Sequence, residues 1–248
     1  MDMLSFEKFT DFCVSSTEFI AEILCDRSDQ ALSTYKVDGS EVTPFDLLIE
    51  DKIRSRIIQG FSDHGIQGEE RESYNPASKY KWIIDPIDGT FGFCRGTTQY
   101  GTLIGFCEND MPKYGFLRMP ELTNSWIAGN GYLSLHNGNS LKTQSHVTWQ
   151  NSLILTTDQQ TIISSPIEKI WKNALDKGPT VRTWGDCLGY YLLCLGKAEL
   201  MTDTNLKPHD ILPLIPILHG CGLEVHQIDC DDYSNVVACK KGLYEQIK

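Results

Sequence analysis

The sequence predicts an α+β half joined to an α/β half, because the spacing of its apolar residues changes along the chain. Two amphipathic helices are predicted near the N-terminus, and an antiparallel meander is predicted over 101–135. From residue 152 onward, short apolar strands alternate with helical patterns. Helices followed by strands are typical of α+β units, and alternation is typical of α/β units. We expect the break within 137–150 and place the two halves at 1–140 and 141–248.

The first two elements are predicted to be helices that each bury one apolar face. Over 4–24, residues recur at three- and four-residue steps, namely Phe9, Cys13, Ser16, Ile20 and Ile23. The second helix begins after Thr43, the predicted N-cap, with Pro44 in the first helical position and Asp46 completing a capping box. Its buried stripe consists of Phe45, Ile49, Ile53 and Ile57.

A buried strand and two hairpins are predicted to follow. The apolar run 82–84 forms the strand, which leads directly into Asp85 and the turn-forming Pro86. In the meander, the predicted strands cover 101–107, 113–119, 126–128 and 132–133. Turns rich in Gly, Asn and Asp separate the members of each pair, which is typical of antiparallel hairpins.

The second half is predicted to alternate strands with helices. The strands cover 152–157, 181–184 and 199–203, and the helices cover 162–176, 186–196 and a segment after Asp210. We expect Asp210 to be the N-cap of the last helix, with Pro213 in its first turn, where a missing N–H costs little. Pro216 lies deeper and is expected to kink this helix.

The composition is that of an ordinary globular protein and narrows the classes of partner. The chain has 248 residues, of which 41% are hydrophobic and 22% are charged. A net charge of −11 argues against nucleic acid, whose phosphates it would repel. It allows an anionic substrate, since a bound cation can reverse the local field. No apolar run approaches the roughly 20 residues of a membrane span, so no membrane partner is expected.

The N-terminus and the cysteines predict a cytoplasmic protein. Residues 1–7 are acidic and lack the basic and then apolar order of a signal peptide. The nine cysteines include no CxxC pair, so we expect reduced thiols rather than disulfides or a zinc site.

Two carboxylates after the strand 82–84 are the strongest candidates for a functional site. Asp85 and Asp88 stand at the carboxyl end of a core strand, where open α/β sheets bind ligands. Two close carboxylates repel each other unless a proton or a cation lies between them, and Mg²⁺ prefers hard oxygen ligands of this kind. The backbone N–H groups of Gly89 and Thr90 would be positioned to hold a phosphate. The alternative is that Asp85 stabilises a turn and Asp88 caps a helix.

Two further acidic motifs make the pattern specific. The motif Gly-Glu-Glu at 68–70 precedes the strand, and Lys-Pro-His-Asp at 207–210 follows far along the chain. Taken singly, the glutamates fit an exposed loop and Asp210 fits an N-cap. Together with the run Trp-Ile-Ile-Asp-Pro-Ile-Asp-Gly-Thr at 82–90, they resemble the inositol monophosphatase family of Mg²⁺-dependent phosphate-monoester hydrolases. The segment 36–46 also resembles that family, so the resemblance covers nearly the whole chain.

The resemblance implies a layered αβαβα sandwich of the type found in fructose-1,6-bisphosphatase. It also implies two or three Mg²⁺ ions per site, with the N-terminal half carrying most of the metal site and the C-terminal half closing it. The implied metal ligands are Glu69, Asp85, the carbonyl of Ile87, Asp88 and Asp210. In this arrangement Asp85 would bridge two ions, and Glu69 would also share a third ion through water.

The same resemblance implies roles in catalysis. Glu69 and Thr90 would orient and deprotonate the attacking water, the Thr90 hydroxyl relaying the proton to the carboxylate. Asp88 and Asp210 would lie near a second water that protonates the leaving alkoxide. The phosphate would rest on the metals and on the N–H groups of Gly89 and Thr90.

Residues around the metals are implied to support them or to bind the organic part of the substrate. Lys36 and Asp46 would lie beside the metals, although the capping role of Asp46 explains that acid equally well. Arg182, Asp186 and Asp203 would contact the substrate. The alternative for Asp186 is a plain helix N-cap.

One branch of the family fits best. The segments 95–104, 182–190 and 206–217 resemble histidinol-phosphate phosphatases, so we expect hydrolysis of histidinol phosphate to histidinol and phosphate, in histidine biosynthesis. Acids at 186 and 203 suit a cationic amine or imidazole, but they would also accept inositol hydroxyls. Inositol monophosphatase is therefore the main alternative, and family resemblance further implies a homodimer.

Four positions depart from the family pattern. Phe91 and Gly92 stand where the family usually has Thr or Lys and a small polar residue, near the expected phosphate. His209 replaces the usual Trp or Tyr, and Pro213 replaces Ala. These departures place substrate choice in question more than catalysis. Phe91, Gly92 and Pro213 also motivate a second hypothesis, a catalytically weak member that acts as a binding or regulatory protein.

Overall fold

The structure, a computed structural model, describes residues 4–24, 33–144 and 148–248. The helices are α1 (Phe6–Thr17), α2 (Phe19–Ile23), α3 (Pro44–Gly60), α4 (Thr90–Cys94), α5 (Gln159–Ile163), α6 (Glu168–Leu175), α7 (Asp186–Cys194), α8 (Pro208–Ile211) and α9 (Leu214–Gly220). The strands are β1 (Thr34–Tyr35), β2 (Glu41–Val42), β3 (Gly65–Gly68), β4 (Tyr80–Asp88), β5 (Gly101–Glu108), β6 (Met111–Met119), β7 (Ser125–Gly129), β8 (Ser134–His136), β9 (Asn139–Leu141), β10 (Leu153–Thr156), β11 (Thr180–Arg182), β12 (Leu200–Asp203), β13 (Glu224–Gln227) and β14 (Val236–Cys239).

Two large sheets organise the described part of the chain. In the first, β3 to β9 lie side by side in chain order, with β3 parallel to β4 and each later pair antiparallel. In the second, the order is β11-β10-β12-β14-β13, and β10 runs parallel to both β11 and β12. The sequence predicted both features, an antiparallel meander in the first half and parallel strands joined through helices in the second. The division at 140/141 stays a prediction.

Helices and sheets alternate in five layers, because successive side chains of each strand point to opposite faces. On one face of the first sheet, Ile104 and Phe116 pack with residues of α1 and α3. On its other face, Leu103 and Leu117 pack with α7, α8 and α9, and the second sheet packs on the far side of these helices. The outer face of the second sheet is covered by α5 and α6. The predicted αβαβα sandwich is confirmed.

Two glycines let α9 lie directly on the first sheet. A Cβ atom at Gly115 would collide with the Pro213 carbonyl oxygen, and one at Gly129 would collide with the backbone of Ile217. This close approach fixes the segment that contains α8, and therefore Asp210, over the carboxyl end of β4.

The predicted start of α3 is confirmed in detail. Thr43 is the N-cap, Pro44 is the first helical residue, and Asp46 completes the capping box. The N-terminal helix is interrupted at Glu18 instead of continuing to residue 24. The Thr17 hydroxyl donates to the Cys13 carbonyl at 2.7 Å, and such side-chain bonds bend helices.

The predicted strand at 132–133 is wrong, since these residues connect β7 to β8. The turn that follows is a tight hairpin between β8 and β9. Asn137 and Gly138 both have positive φ, 49° and 84°, as two-residue hairpins require. The predicted break between the two halves included this turn. In the structure the turn instead joins β8 to β9, which extend the first sheet. Residues 145–147 of that predicted break, like Cys25, lie outside the described residues.

The predicted helix 162–176 is two helices, because Pro166 cannot donate a helical hydrogen bond between α5 and α6. The helix expected after Asp210 is also divided, and Asp210 is not its cap but the third residue of α8, whose N-cap is Lys207. The break falls at 212–213 rather than at Pro216. Pro216 has no N–H for the Leu212 carbonyl, so the helix is interrupted one turn before the proline.

The predictions about cysteines and membrane spans can be compared with the described residues. Eight cysteines lie in these ranges, and all are free thiols, as predicted. In the same ranges, no helix is both long and apolar enough to cross a bilayer. The short hairpin β13–β14 was not predicted, because four-residue strands around a polar loop carry little periodicity.

Candidate active site

Asp85 and Asp88 come together because β4 is irregular at its end. The pairing of β4 with β5 shifts register between these two residues, and such a bulge redirects side chains. Gly89 then takes a left-handed conformation with φ of 90°, and a Cβ atom there would lie 2.6 Å from the Gln99 carbonyl oxygen. Glycine is therefore required where the chain turns from β4 into α4, which begins at Thr90.

Four acids and one histidine from distant parts of the chain converge on this end of β4. Oxygens of Asp85, Asp88 and Asp210 all lie within 4.8 Å of one another. Ligand atoms of Glu69, Asp85 and His209 form a second group with the same limit. Asp85 belongs to both groups, and its predicted role in bridging two ions stays a prediction.

Asp85 has a buried oxygen without a hydrogen-bond partner in the described part of the chain. Its Oδ1 atom is buried and has no hydrogen-bond partner among the residues that the structure describes. A buried carboxylate without a donor or a counterion is strongly unfavourable. Burial, followed by the charges of Glu69 and Asp88, raises the pKa of Asp85 well above its usual range. Burial and the charge of Asp186 do the same to the pKa of Asp88. An oxygen-rich donor set of this kind fits Mg²⁺.

Asp210 serves as a cap and faces the cluster at the same time. Its Oδ2 atom accepts a hydrogen bond from the Lys207 N–H at 2.7 Å, while its Oδ1 atom lies 3.4 Å from His209 Nε2. Burial raises the pKa of Asp210, and the charge of His209 opposes this shift. Asp210 is therefore not the predicted N-cap but the capping-box acid of α8, and its other oxygen faces the cluster; its role as a metal ligand stays a prediction.

Glu69 is held in a loop by its neighbours. Its backbone N–H donates to the Ile84 carbonyl at 3.1 Å, which anchors the loop to β4. The Lys36 ammonium donates to Glu69 Oε1 at 2.6 Å and to Glu70 Oε1 at 2.7 Å. Burial lowers the pKa of Lys36, but these two hydrogen bonds outweigh it and raise the pKa above its ordinary value. Lys36 thus lies beside the acidic cluster, and its place beside metal ions stays a prediction.

Glu50 also supports this loop, and the sequence analysis missed it. It is fully buried in α3, and its Oε2 atom accepts the Glu70 N–H at 2.8 Å. One signal could have found it: Glu50 follows Asp46 by four residues, so both acids lie on the same face of α3.

Thr90 and Asp46 are in contact. The Thr90 hydroxyl lies 3.4 Å from Asp46 Oδ1 and donates to the Ile87 carbonyl at 2.7 Å. The other oxygen of Asp46 accepts from the Thr43 N–H at 2.8 Å. Burial raises the pKa of Asp46 to about 6, against the hydrogen bonds from Thr43. One oxygen caps α3, as predicted, and the other faces Thr90, while the place of Asp46 beside metal ions stays a prediction.

A cavity of about 300 Å³ opens beside Asp88 and Asp210. Asp186 and Asp203 line it, together with Asp158 and Tyr190, which the sequence analysis missed. Asp186 is not the cap of α7, because Gly185 occupies that position. Burial raises the pKa of Asp186 to about 6, and the charge of Asp210 adds to this. Burial also raises the pKa of Asp203 to about 7.

Arg182 is not brought to the cavity. It lies on β11, at the edge of the second sheet, and its side chain is exposed. Its guanidinium donates to the Val181 carbonyl at 2.7 Å. The prediction followed position in the sequence, but the alternation of side chains along β11 directs this residue outward.

The departures from the family pattern are accommodated locally. Phe91 is 67% exposed, and the Arg95 guanidinium carbon lies 3.4 Å from its ring centre. Gly92 allows Thr97 to approach, since a Cβ atom there would lie 2.7 Å from the Thr97 hydroxyl oxygen. Pro213 packs against Gly115 on the first sheet.

A comparison with known families identifies the family of this chain. The family model described as the inositol monophosphatase family matches residues 7–246. The chain belongs to this family. Members of the inositol monophosphatase family depend on Mg²⁺, and the acids around Asp85 provide a donor set that could hold it.

Two curated relatives of this chain are named phosphatases. The bifunctional phosphatase IMPL2, chloroplastic, of Arabidopsis thaliana is 32% identical over 214 residues, which is 82% of this chain but only 62% of that protein. The histidinol-phosphatase of Chlorobaculum parvum is 32% identical over 197 residues, covering 79% of this chain and 75% of that protein.

Solved structures of the inositol monophosphatase family share the architecture. An inositol monophosphatase from Zymomonas mobilis superimposes with a TM-score of 0.79 at 25% identity, covering 98% of this chain and 97% of the other. The suppressor protein SuhB from Bartonella henselae gives 0.85 at 16% identity, covering 96% of each chain, and shows the fold alone.

Proposed function

We propose that this protein is a Mg²⁺-dependent phosphatase of a small phosphate monoester, with histidinol phosphate as its preferred substrate. The observation that carries the proposal is the unpartnered buried oxygen of Asp85, inside an acidic cluster that adjoins an acidic cavity. Family membership and the phosphatase names of the relatives support a phosphoric monoester hydrolase.

The residues that would hold two or three Mg²⁺ ions are Glu69, Asp85, the carbonyl of Ile87, Asp88 and Asp210. When bound, Mg²⁺ would polarise the phosphate and lower the pKa of water. Asp85 would join the two groups of ligands, since its oxygens lie within reach of both. Lys36 would hold the Glu69 carboxylate in place through their 2.6 Å hydrogen bond.

The chain itself would position water and phosphate. Glu69 and Thr90 would orient and deprotonate the attacking water, and the contact of Thr90 with Asp46 supports a route for that proton. The N–H groups of Gly89 and Thr90 would hold the phosphate oxygens. Asp88 and Asp210 would lie near the water that protonates the leaving alkoxide.

The cavity favours a cationic organic group. Asp186 and Asp203 line it, and burial disfavours their charged forms unless a cation arrives. The amine or imidazole of histidinol would supply that cation, whereas inositol is neutral. The 32% identity to a protein named histidinol-phosphatase supports the same choice. Arg182 would bind substrate only after moving from its position on β11, so the cavity residues Asp186 and Asp203 are the main substrate contacts in this proposal.

The decisive experiment measures phosphate release from histidinol phosphate and inositol 1-phosphate in parallel, with and without Mg²⁺. We expect a large preference for histidinol phosphate, and no release from Glu69→Gln or Asp88→Asn. Asp203→Asn should raise KM for histidinol phosphate more than for inositol 1-phosphate. Normal turnover in Glu69→Gln or Asp88→Asn would overturn the site, and a preference for inositol 1-phosphate would overturn the substrate alone.

A second candidate is a binding or regulatory protein with weak activity. The exposed Phe91, stacked by Arg95 beside the start of α4, favours it, because an aromatic ring replaces a polar side chain near the proposed phosphate position. Stabilisation by Mg²⁺ and phosphate without turnover of any monoester would select this candidate.

A homodimer acting in the cytoplasm, in histidine biosynthesis, completes the proposal. The dimer is supported only by the resemblance to the family, and the compartment by the sequence patterns at the N-terminus and cysteines. Light scattering of the purified chain would test the dimer, and an imaging tag on the C-terminus would test the compartment.

A further inference from the structure

His209 lies inside the acidic cluster rather than at its edge. Only 8% of the residue is exposed. Its Nε2 atom is 3.4 Å from Asp210 Oδ1 and 3.9 Å from Glu69 Oε1. A ring nitrogen of His209 also lies within 4.8 Å of a carboxylate oxygen of Asp85. The imidazole therefore faces three of the acids proposed to bind metal.

The spacing of these atoms approaches that of ligands sharing one ion. Two atoms bound to the same ion at about 2.1 Å lie at most about 4.2 Å apart, so small side-chain movements would close the group. Neutral imidazole is a common ligand of transition metals, whereas Mg²⁺ is held almost entirely by oxygen. The aromatic residues usual at this position of the family offer no such nitrogen.

We infer that His209 is a metal ligand beside Glu69 and Asp85, and that it shifts the preference of this site from Mg²⁺ toward Mn²⁺. The inference rests on the proposed function, because it concerns the same metal site. The first turn of α8 explains how His209 would reach the ion. Asp210 accepts a hydrogen bond from the Lys207 N–H, and this bond fixes the conformation of that turn. His209, one residue earlier, then directs its ring toward Glu69.

The same contacts would form if a protonated His209 paired with Glu69 and Asp210 and bound no metal. A test must therefore separate a coordinated imidazole from an ion-paired one. Electron spin-echo envelope modulation of bound Mn²⁺ does so, because it detects a nitrogen coordinated directly to the ion.

The experiment uses the full chain with Mn²⁺, unlabelled and with ¹⁵N-labelled histidine. We expect ¹⁴N modulation in the unlabelled protein and its replacement by the ¹⁵N pattern after labelling. His209→Tyr, which restores a residue usual in the family, should abolish the nitrogen signal. It should also lower the preference for Mn²⁺ over Mg²⁺ at least about tenfold, as expected when a metal site loses a supporting group.

The matched control is His226→Gln. His226 belongs to the separate group Glu224, His226 and Cys239, whose ligand atoms also lie within 4.8 Å of one another. This variant should keep the nitrogen signal and the metal preference. A signal lost in His226→Gln and kept in His209→Tyr would overturn the inference.

The outcomes also separate this inference from the proposed function. Bound Mn²⁺ without nitrogen modulation, in the wild-type protein, overturns the role of His209 and leaves the phosphatase proposal standing. Mn²⁺ binding that persists unchanged in Asp85→Asn overturns the metal site itself, and the proposed function with it. If His209→Tyr fails to fold, the labelled wild type still shows whether a histidine coordinates the ion, and a nitrogen signal kept in His226→Gln shows that this histidine is not the one in the other candidate group.

Discussion

The buried carboxylate of Glu50 accepts a hydrogen bond from the backbone N–H of Glu70 at 2.8 Å, which joins α3 to the loop that carries Glu69. Gly68 makes this contact possible, because a Cβ atom there would collide with the Glu50 carboxylate. Arg54, one turn later in α3, donates to the other oxygen at 3.2 Å. The position of Glu69 is therefore set by a residue that is not among the proposed metal ligands.

Glu50→Ala should weaken metal binding and lower stability. The Glu70 N–H would lose its acceptor, so we expect a loss of about 1–3 kcal/mol and a fall in Mg²⁺ affinity of at least about tenfold. Glu50→Gln keeps an acceptor oxygen and should retain most of both. Calorimetric Mg²⁺ titration and urea unfolding would measure these changes. Equal effects of the two variants would contradict the positioning role.

Asp85→Asn should stabilise the metal-free protein while removing its response to Mg²⁺. It replaces a buried carboxylate that is repelled by Glu69, Asp88 and Asp210. In thermal unfolding with a chelator, the variant should melt above the wild type. With saturating Mg²⁺ the order should reverse, because only the wild type gains binding energy. Asp51→Asn, which affects an exposed acid paired with Arg71, is the control and should change neither result.

The metal-free protein should lose stability as the pH rises toward neutrality. Burial raises the pKa of Glu70 to about 7, against its hydrogen bond from Lys36, and it raises that of Asp203 to about 7. The folded state binds these protons more tightly than the unfolded chain. The resulting stability is therefore full below the ordinary pKa of these acids and is lost as the pH rises through about 7.

This pH dependence can be measured as the melting temperature between about pH 5 and about pH 8 in the presence of a chelator. Asp203→Asn should flatten the decline, since an amide does not titrate. A melting temperature that rises over this interval, in the wild type, would show that the buried acids do not carry the proposed protons.

Gly115→Ala should destabilise the fold by overpacking α9 against the first sheet. The new Cβ atom would collide with the Pro213 carbonyl oxygen, which is backbone and cannot move alone, so we expect a cost of about 1–3 kcal/mol. The matched control is Gly60→Ala at the end of α3, where no atom lies within 4 Å. That change should be neutral or stabilising by up to about 1 kcal/mol in urea unfolding. If both variants behave alike, the close approach does not constrain the fold.

Local chemistry explains which parts of the fold could be predicted. The start of α3 depends on Thr43, Pro44 and Asp46, which lie close together in the sequence. Their capping roles could therefore be predicted without a structure. The acids at the end of β4 were found for the same reason, because Asp85 directly follows the apolar run in the sequence.

Tertiary packing decides the rest. Asp210 was expected to be a cap, yet the helix begins at Pro208 because Lys207 takes the N-cap position. Arg182 was expected at the substrate, but the pleat of an edge strand turns it to solvent. Glu50 was missed because its partner is a backbone N–H twenty residues away, in a loop that no local pattern reports.

The placement of His209 and Asp210 on α8 also constrains how the protein matures. During synthesis the ribosome releases Glu69, Asp85 and Asp88 long before α8 emerges, since 120 positions separate Asp88 from Pro208. Until α8 docks, the nascent chain carries an incomplete cluster of mutually repelling acids. Capture of the proposed metal ions would therefore be a late event, and a truncated translation product that ends before residue 207 would lack one side of the proposed site.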